Sequence, residues 1–167
     1  MKKKIGLLIL SFVFLFPCHV KATVAVMDMN SNRILYGVSK DEKKLIASTT
    51  KILTAMITIQ NVDIKEKVTV TQSVLASYGS GIYIEVGEEM SVEDLLYGLM
   101  LRSGNDAAIM LAEYVGGSME GFATLMNELA SSIGMKNSHF INASGLENES
   151  GEGNMSTAAD MALLMSY

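Results

Sequence analysis

The spacing of apolar positions changes several times along this chain, and each change marks an element. From Thr23 to Met29, small or β-branched residues alternate with others, and Arg33 to Val38 forms a second extended run. Asn30-Ser31-Asn32 between them is turn chemistry, so the two runs predict a β-hairpin. A charged loop, Lys40 to Lys44, follows. Ile52, Leu53, Met56 and Ile57 then repeat at helical spacing within residues 49–61, with Ser48 at the N-cap or in the first turn. Lys67-Val68-Thr69-Val70-Thr71 reads as a short strand and Ser77 to Gly81 as a flexible loop. Ser91 opens a second helix, with Glu93 and Asp94 placed against the positive end of its dipole, and the pattern runs to about Leu101. Arg102 to Gly104 is a break. A helix over Asp106 to Val115 is closed by Gly116-Gly117, and one over Met119 to Ile133 by Gly134. Residues 136–154 are loop-rich, and Ser156 caps a final helix.

The first 22 residues follow different rules. Lys2, Lys3 and Lys4 precede an apolar stretch from Ile5 to Phe16, about a dozen residues long, which is short for a bilayer span and suited to a signal-peptide core. Val20-Lys21-Ala22 supplies small residues for cleavage after Ala22. Pro17 ahead of Cys18 argues against a lipidated cysteine. Residues 1–22 are therefore expected to be a signal peptide and residues 23–167 a catalytic domain of an exported protein, working outside the cytoplasm at the cell wall or the outer face of the membrane.

Removing the leader sharpens the charge balance. Nine basic residues then face eighteen acidic ones, which argues against nucleic acid or an anionic membrane surface as the partner. The mature part has no cysteine, so it has neither a disulfide framework nor thiolate chemistry. His139 is its one histidine, and no Cys/His cluster has ligand spacing; no metal or cofactor is expected. The methionines, Met27, Met29, Met56, Met90, Met100, Met110 and Met126 among them, fall mostly in apolar runs and read as gap-filling core residues.

The chemistry concentrates in Ala47-Ser48-Thr49-Thr50-Lys51 and in Ser103-Gly104-Asn105. A serine and a lysine three apart at a helix start share one face, one turn from each other. A hydroxyl beside an amine is the arrangement a serine nucleophile needs when no histidine serves as its base. The helix that follows is apolar and so buried, which desolvates Lys51, lowers its pKa and favours a neutral amine. The backbone N–H of Ser48 can donate to a developing oxyanion.

Ser48-Thr49-Thr50-Lys51 with Ser103-Gly104-Asn105 resembles the first two signatures of the penicillin-binding, active-site-serine enzymes. Within that group the chain is similar to the low-molecular-mass D-alanyl-D-alanine carboxypeptidases. The likeness is carried by Leu45 to Thr54, by Leu95 to Ala108 and by His139-Phe140-Ile141-Asn142-Ala143-Ser144-Gly145-Leu146. It implies an α/β (α+β) fold of the β-lactamase/transpeptidase type, with an N-terminal β-hairpin and a helical lobe. It also implies a set of roles: Ser48 as nucleophile, Lys51 as general base, Ser103 as proton relay and Asn105 as substrate-binding residue that also orients Lys51. The implied partners are peptidoglycan stem peptides ending in D-Ala-D-Ala, with β-lactams acylating the same serine.

The family's third signature, Lys-Thr-Gly on a strand lining the site, has no match after residue 105. The chain is accordingly expected to be a fragment or truncated product that lacks the remaining sheet strands and is weakly active or inactive, any membrane association depending on residues beyond it. Two alternatives stand beside this reading. One is a β-lactamase of the same fold, against which no Glu-x-x-Leu-Asn segment follows the second motif. The other is a non-catalytic cell-wall binding fragment that keeps the fold.

Overall fold

A hairpin, a helical lobe and a glycine-rich return segment make up the computed structural model, which describes residues 22–167. The leader reading lies outside the described residues, Ala22 excepted.

Strands β1 (Val24–Asp28) and β2 (Arg33–Val38) pair antiparallel, with a bulge between Val26 and Met27. The expected turn closes through Asp28, whose Oδ1 accepts from the Ser31 N–H and hydroxyl, and Asn32 takes the left-handed conformation that asparagine tolerates. The charged loop is shorter than expected. Lys44–Leu45 form β3, paired antiparallel with β6 (Met155–Ser156) across more than a hundred residues of chain. A third small ladder joins β4 (Lys67–Thr69) to β5 (Glu89–Ser91). Among the described residues the strands thus form three two-stranded sheets around a helical core.

The helices are α1 (Thr50–Asn61), α2 (Val92–Leu101), α3 (Asn105–Gly116), α4 (Met119–Ile133) and α5 (Ala158–Ser166). Their ends follow local chemistry. The Ser91 hydroxyl accepts from Asp94 N–H and that of Ser118 from Gly121 N–H, while Gly117 and Gly134 close α3 and α4 in the left-handed conformation. The last helix starts one residue later than expected. Thr157 is its cap, and Ser156 is instead buried in β6 with its hydroxyl against Ser138.

Leu53 and Ile57 of α1 and Leu95 and Leu99 of α2 share one core with Met110 and Leu111 of α3 and Phe122 and Met126 of α4. Each fully buried side chain of this kind contributes about 1.5–3 kcal/mol. Gly116 lets α4 close on α3, since a Cβ there would lie 2.4 Å from Phe122 N. The methionine reading holds for Met110 and Met126 and fails for Met29 and Met100, which are exposed. No helix of the described residues is long and apolar enough to cross a membrane.

Candidate active site

Ser48 sits in a single 3-10 turn, Ala47–Thr49, that runs straight into α1. It therefore precedes the helix rather than capping it, and no side chain caps this start. Ala47 takes a left-handed φ of 44°, a conformation that costs an L-residue energy and recurs at functional sites. The opposing wall holds the turn in place. Gly145 has φ 84°, and a Cβ there would fall 1.9 Å from the Ala47 carbonyl oxygen. Only glycine fits where the two segments meet.

In the first turn of α1, Lys51 is 3% exposed. The expected desolvation is present, and burial alone pushes its amine down from 10.5 to about 8. Its Nζ lies 3.3 Å from Ser48 Oγ, 2.8 Å from Asn105 Oδ1 and 2.7 Å from the Ser144 carbonyl oxygen. Serine, lysine and asparagine from the two motifs thus converge on one amine.

Asn105 opens α3 and ties three segments together. Its Oδ1 accepts from Lys51, its Nδ2 donates to the Tyr78 carbonyl at 2.7 Å, and its backbone N–H donates to the Ser80 carbonyl at 2.8 Å. The next residue, Asp106, is buried, and its carboxylate accepts from the Ile82, Tyr83 and Ala107 N–H groups. Loop 77–83 is therefore held against the start of α3, and its Tyr78 hydroxyl reaches the Glu147 carbonyl on the far wall at 2.9 Å.

Ser103 joins this set less closely. It has a left-handed φ of 54° between α2 and α3, and among the described residues its hydroxyl has no hydrogen bond to Lys51 or Ser48. His139 is structural, its N–H and carbonyl pairing with Met155. Among the described residues no group of three or more His, Cys, Asp or Glu is placed to hold a metal ion.

An exposed serine hydroxyl beside a buried lysine amine, with the buried Asn105 on the amine's other side, is what the two motifs build. The chain belongs to the D-alanyl-D-alanine carboxypeptidase family. The model of that family matches residues 16–167. D-alanyl-D-alanine carboxypeptidase DacF of Bacillus subtilis is 34% identical over 151 residues, covering 87% of this chain and 38% of that protein. The solved D-alanyl-D-alanine carboxypeptidase of Mycobacterium tuberculosis superposes with a TM-score of 0.81 at 29% identity, over 86% of this chain and 54% of that one. Penicillin binding protein 6B of Escherichia coli superposes with a TM-score of 0.80 at 28% identity, over 87% of this chain and 49% of that one. The chain thus spans well under two thirds of each, and its mixed helix and small-sheet architecture is the N-terminal part of that fold.

Sequence reasoning missed the wall of this carboxypeptidase-family site that comes from residues 141–154. Thr54 Oγ1 donates to the Ala143 carbonyl at 2.8 Å, and Asn154, 1% exposed, donates to Thr50 Oγ1 at 2.9 Å. Two threonines of α1 are thus buried as fasteners on the face that carries Lys51. The segment His139 to Leu146 marked the likeness to the family, yet nothing in its local pattern names the Ser144 carbonyl, because a backbone acceptor has no residue signature.

Proposed function

We propose that this chain carries the nucleophile and base of a serine-type D-alanyl-D-alanine carboxypeptidase acting on peptidoglycan stem peptides. The observation that carries the proposal is the state and place of Lys51: an amine shifted to about 8, buried, and 3.3 Å from Ser48 Oγ. Ser48 attacks the carbonyl of the penultimate D-alanine, and its proton passes to Lys51 Nζ. Ser103, whose hydroxyl has no internal partner among the described residues, relays a proton to the departing D-alanine nitrogen. Asn105 holds the base and the substrate amide. Water then releases the shortened peptide from Ser48. Penicillin acylates the same oxygen, a reading favoured by the likeness to penicillin binding protein 6B. The apolar stretch from Ile5 to Phe16, after three lysines, supports a site of action outside the cytoplasm, facing the cell wall.

The test is labelling with a fluorescent penicillin, read by denaturing gel and by mass spectrometry of the Ser48 peptide. Label that the parent takes and Ser48→Ala loses supports the proposal. Equal label in both, or none in a folded parent, removes it.

A further inference from the structure

Lys51 has two strong partners and one longer contact. An ammonium donates three hydrogen bonds, but a neutral amine has two N–H groups and a lone pair. Asn105 Oδ1 at 2.8 Å and the Ser144 carbonyl at 2.7 Å take the two N–H groups. The third position on nitrogen, the lone pair, is then left for Ser48 Oγ at 3.3 Å. The Ser144 carbonyl therefore decides where the base points, and whatever orients that carbonyl aims the base.

That orienting group is Asn142. Its Oδ1 accepts from Gly145 N–H at 2.7 Å and from Ser144 N–H at 3.1 Å, an asparagine turn closed by its own side chain. Its Nδ2 donates to the Leu146 carbonyl at 2.8 Å, so the turn is held at both ends. Asn154 clamps the base of the turn, accepting from the Ile141 and Asn142 N–H groups and donating to the Asn142 carbonyl. With the Ser144 and Gly145 N–H groups both taken by Asn142 Oδ1, the peptide plane that carries the Ser144 carbonyl is set, and that carbonyl accepts from Lys51.

We propose that Asn142 is a positioning residue for the general base: it folds residues 142–145 so that the Ser144 carbonyl directs the lone pair of Lys51 at the Ser48 hydroxyl. The inference rests on the serine–lysine reading above. In the step it serves, the Ser48 O–H bond breaks and the proton joins the Lys51 lone pair. The Oγ electron pair forms the bond to the acyl carbon, and the carbonyl oxygen takes the negative charge. Asn142 touches none of these atoms and acts through Ser144.

Asp106, beside Asn105, and Glu147, beyond Ser144, are the charged residues next in sequence to the two acceptors of Lys51; of the other carboxylates on the helices packed against α1, Glu113 accepts from Thr71 and Ser73, and none of Glu93, Asp94, Glu120 and Glu128 is hydrogen-bonded to Lys51 among the described residues. The Asp106 carboxylate is engaged by loop N–H groups, and neither it nor Glu147 is hydrogen-bonded to Lys51 among the described residues. The direction of the base is thus set by neutral acceptors.

The experiment uses the full chain and compares the parent with Asn142→Ala and Asn142→Asp, labelling rates being normalised to the folded fraction by circular dichroism. A base misplaced by about an ångström costs on the order of 10²-fold, and that loss in penicillin labelling is expected for Asn142→Ala. Asn142→Asp keeps the acceptor for both N–H groups and restores most of the plateau rate. Its added negative charge favours the ammonium, so the rise of rate with pH moves to higher pH. A residue that only stabilised the fold would change the melting temperature and leave both the normalised rate and the pH profile alone; that result overturns the inference. Independently of acylation, carbon-13 NMR of the lysine side chains, with Lys51 assigned through Lys51→Arg, reads the amine directly. A Lys51 titration displaced in Asn142→Ala supports the inference, and superposable titrations overturn it, even in a chain that takes no label. Loss of label in the parent would remove the acylation reading, whereas parent-like rates in Asn142→Ala would remove only the role of Asn142.

Discussion

Replacing Lys51 by methionine should change how stability depends on pH, by an amount the structure sets. The folded amine titrates at about 8 and the unfolded one near 10.5, so folding holds Lys51 where its charge is disfavoured. Between those values the unfolded chain binds more protons than the folded one, and stability therefore rises with pH through that window. The deficit is fully present below pH 8 and amounts to about 3 kcal/mol, of which about 2.5 kcal/mol is recovered between pH 7 and pH 10. Lys51→Met removes this term and leaves two buried acceptors, Asn105 Oδ1 and the Ser144 carbonyl, without their donor. Each unpaired acceptor costs about 1–3 kcal/mol, so at pH 7 the loss roughly offsets the relief. At pH 10 most of the relief is gone and the variant is the less stable by some 2–3 kcal/mol. Urea unfolding of both proteins at pH 7, 8.5 and 10 measures the gap, and titrations shared by the two, such as those of Lys65, Lys67 and Tyr114, cancel in it. A gap that stays constant across this range would refute the placement of a desolvated, neutralisable amine at residue 51.

Three further outcomes follow from the same geometry. Gly145→Ala forces a left-handed alanine whose Cβ meets the Ala47 carbonyl at 1.9 Å; it should cost roughly 2–5 kcal/mol in urea unfolding and abolish penicillin labelling of whatever remains folded. Asp106→Ala strips two loop N–H groups, and that of Ala107, of their acceptor, so amide exchange at Ile82 and Tyr83 should rise together with a loss of about 1–3 kcal/mol. Unchanged exchange there would show that the loop is held by other contacts. Thr157→Ala removes the cap of α5 and should lower stability by about 1 kcal/mol without altering the labelling rate, a clean contrast with the site variants.

Local chemistry made most of the helical lobe readable. Ser91 with Asp94, Ser118 with Gly121, and the glycines at 117 and 134 each satisfy helix-end groups within a few residues, so local chemistry determined where α2 and α4 begin and where α3 and α4 end, whereas α3 starts at Asn105, one residue earlier than expected, with no side chain capping it. The one-residue slip at α5 has the same origin: Ser156 and Thr157 are both acceptable caps, and the long-range β3–β6 pairing chose by burying the serine. The serine–lysine pair was readable because helical spacing places its members together, and the apolar run after it announced that the lysine would be desolvated. The bracing of that lysine was not readable. Asn105 and Ser144 lie 54 and 93 residues away, one of them offers only a backbone oxygen, and the turn presenting that oxygen is held by Asn142 and Asn154. Spacing along a chain determines which side chains share a helix face; only packing of that face against distant loops decides which acceptors surround Nζ, and with them the direction in which the Lys51 lone pair points.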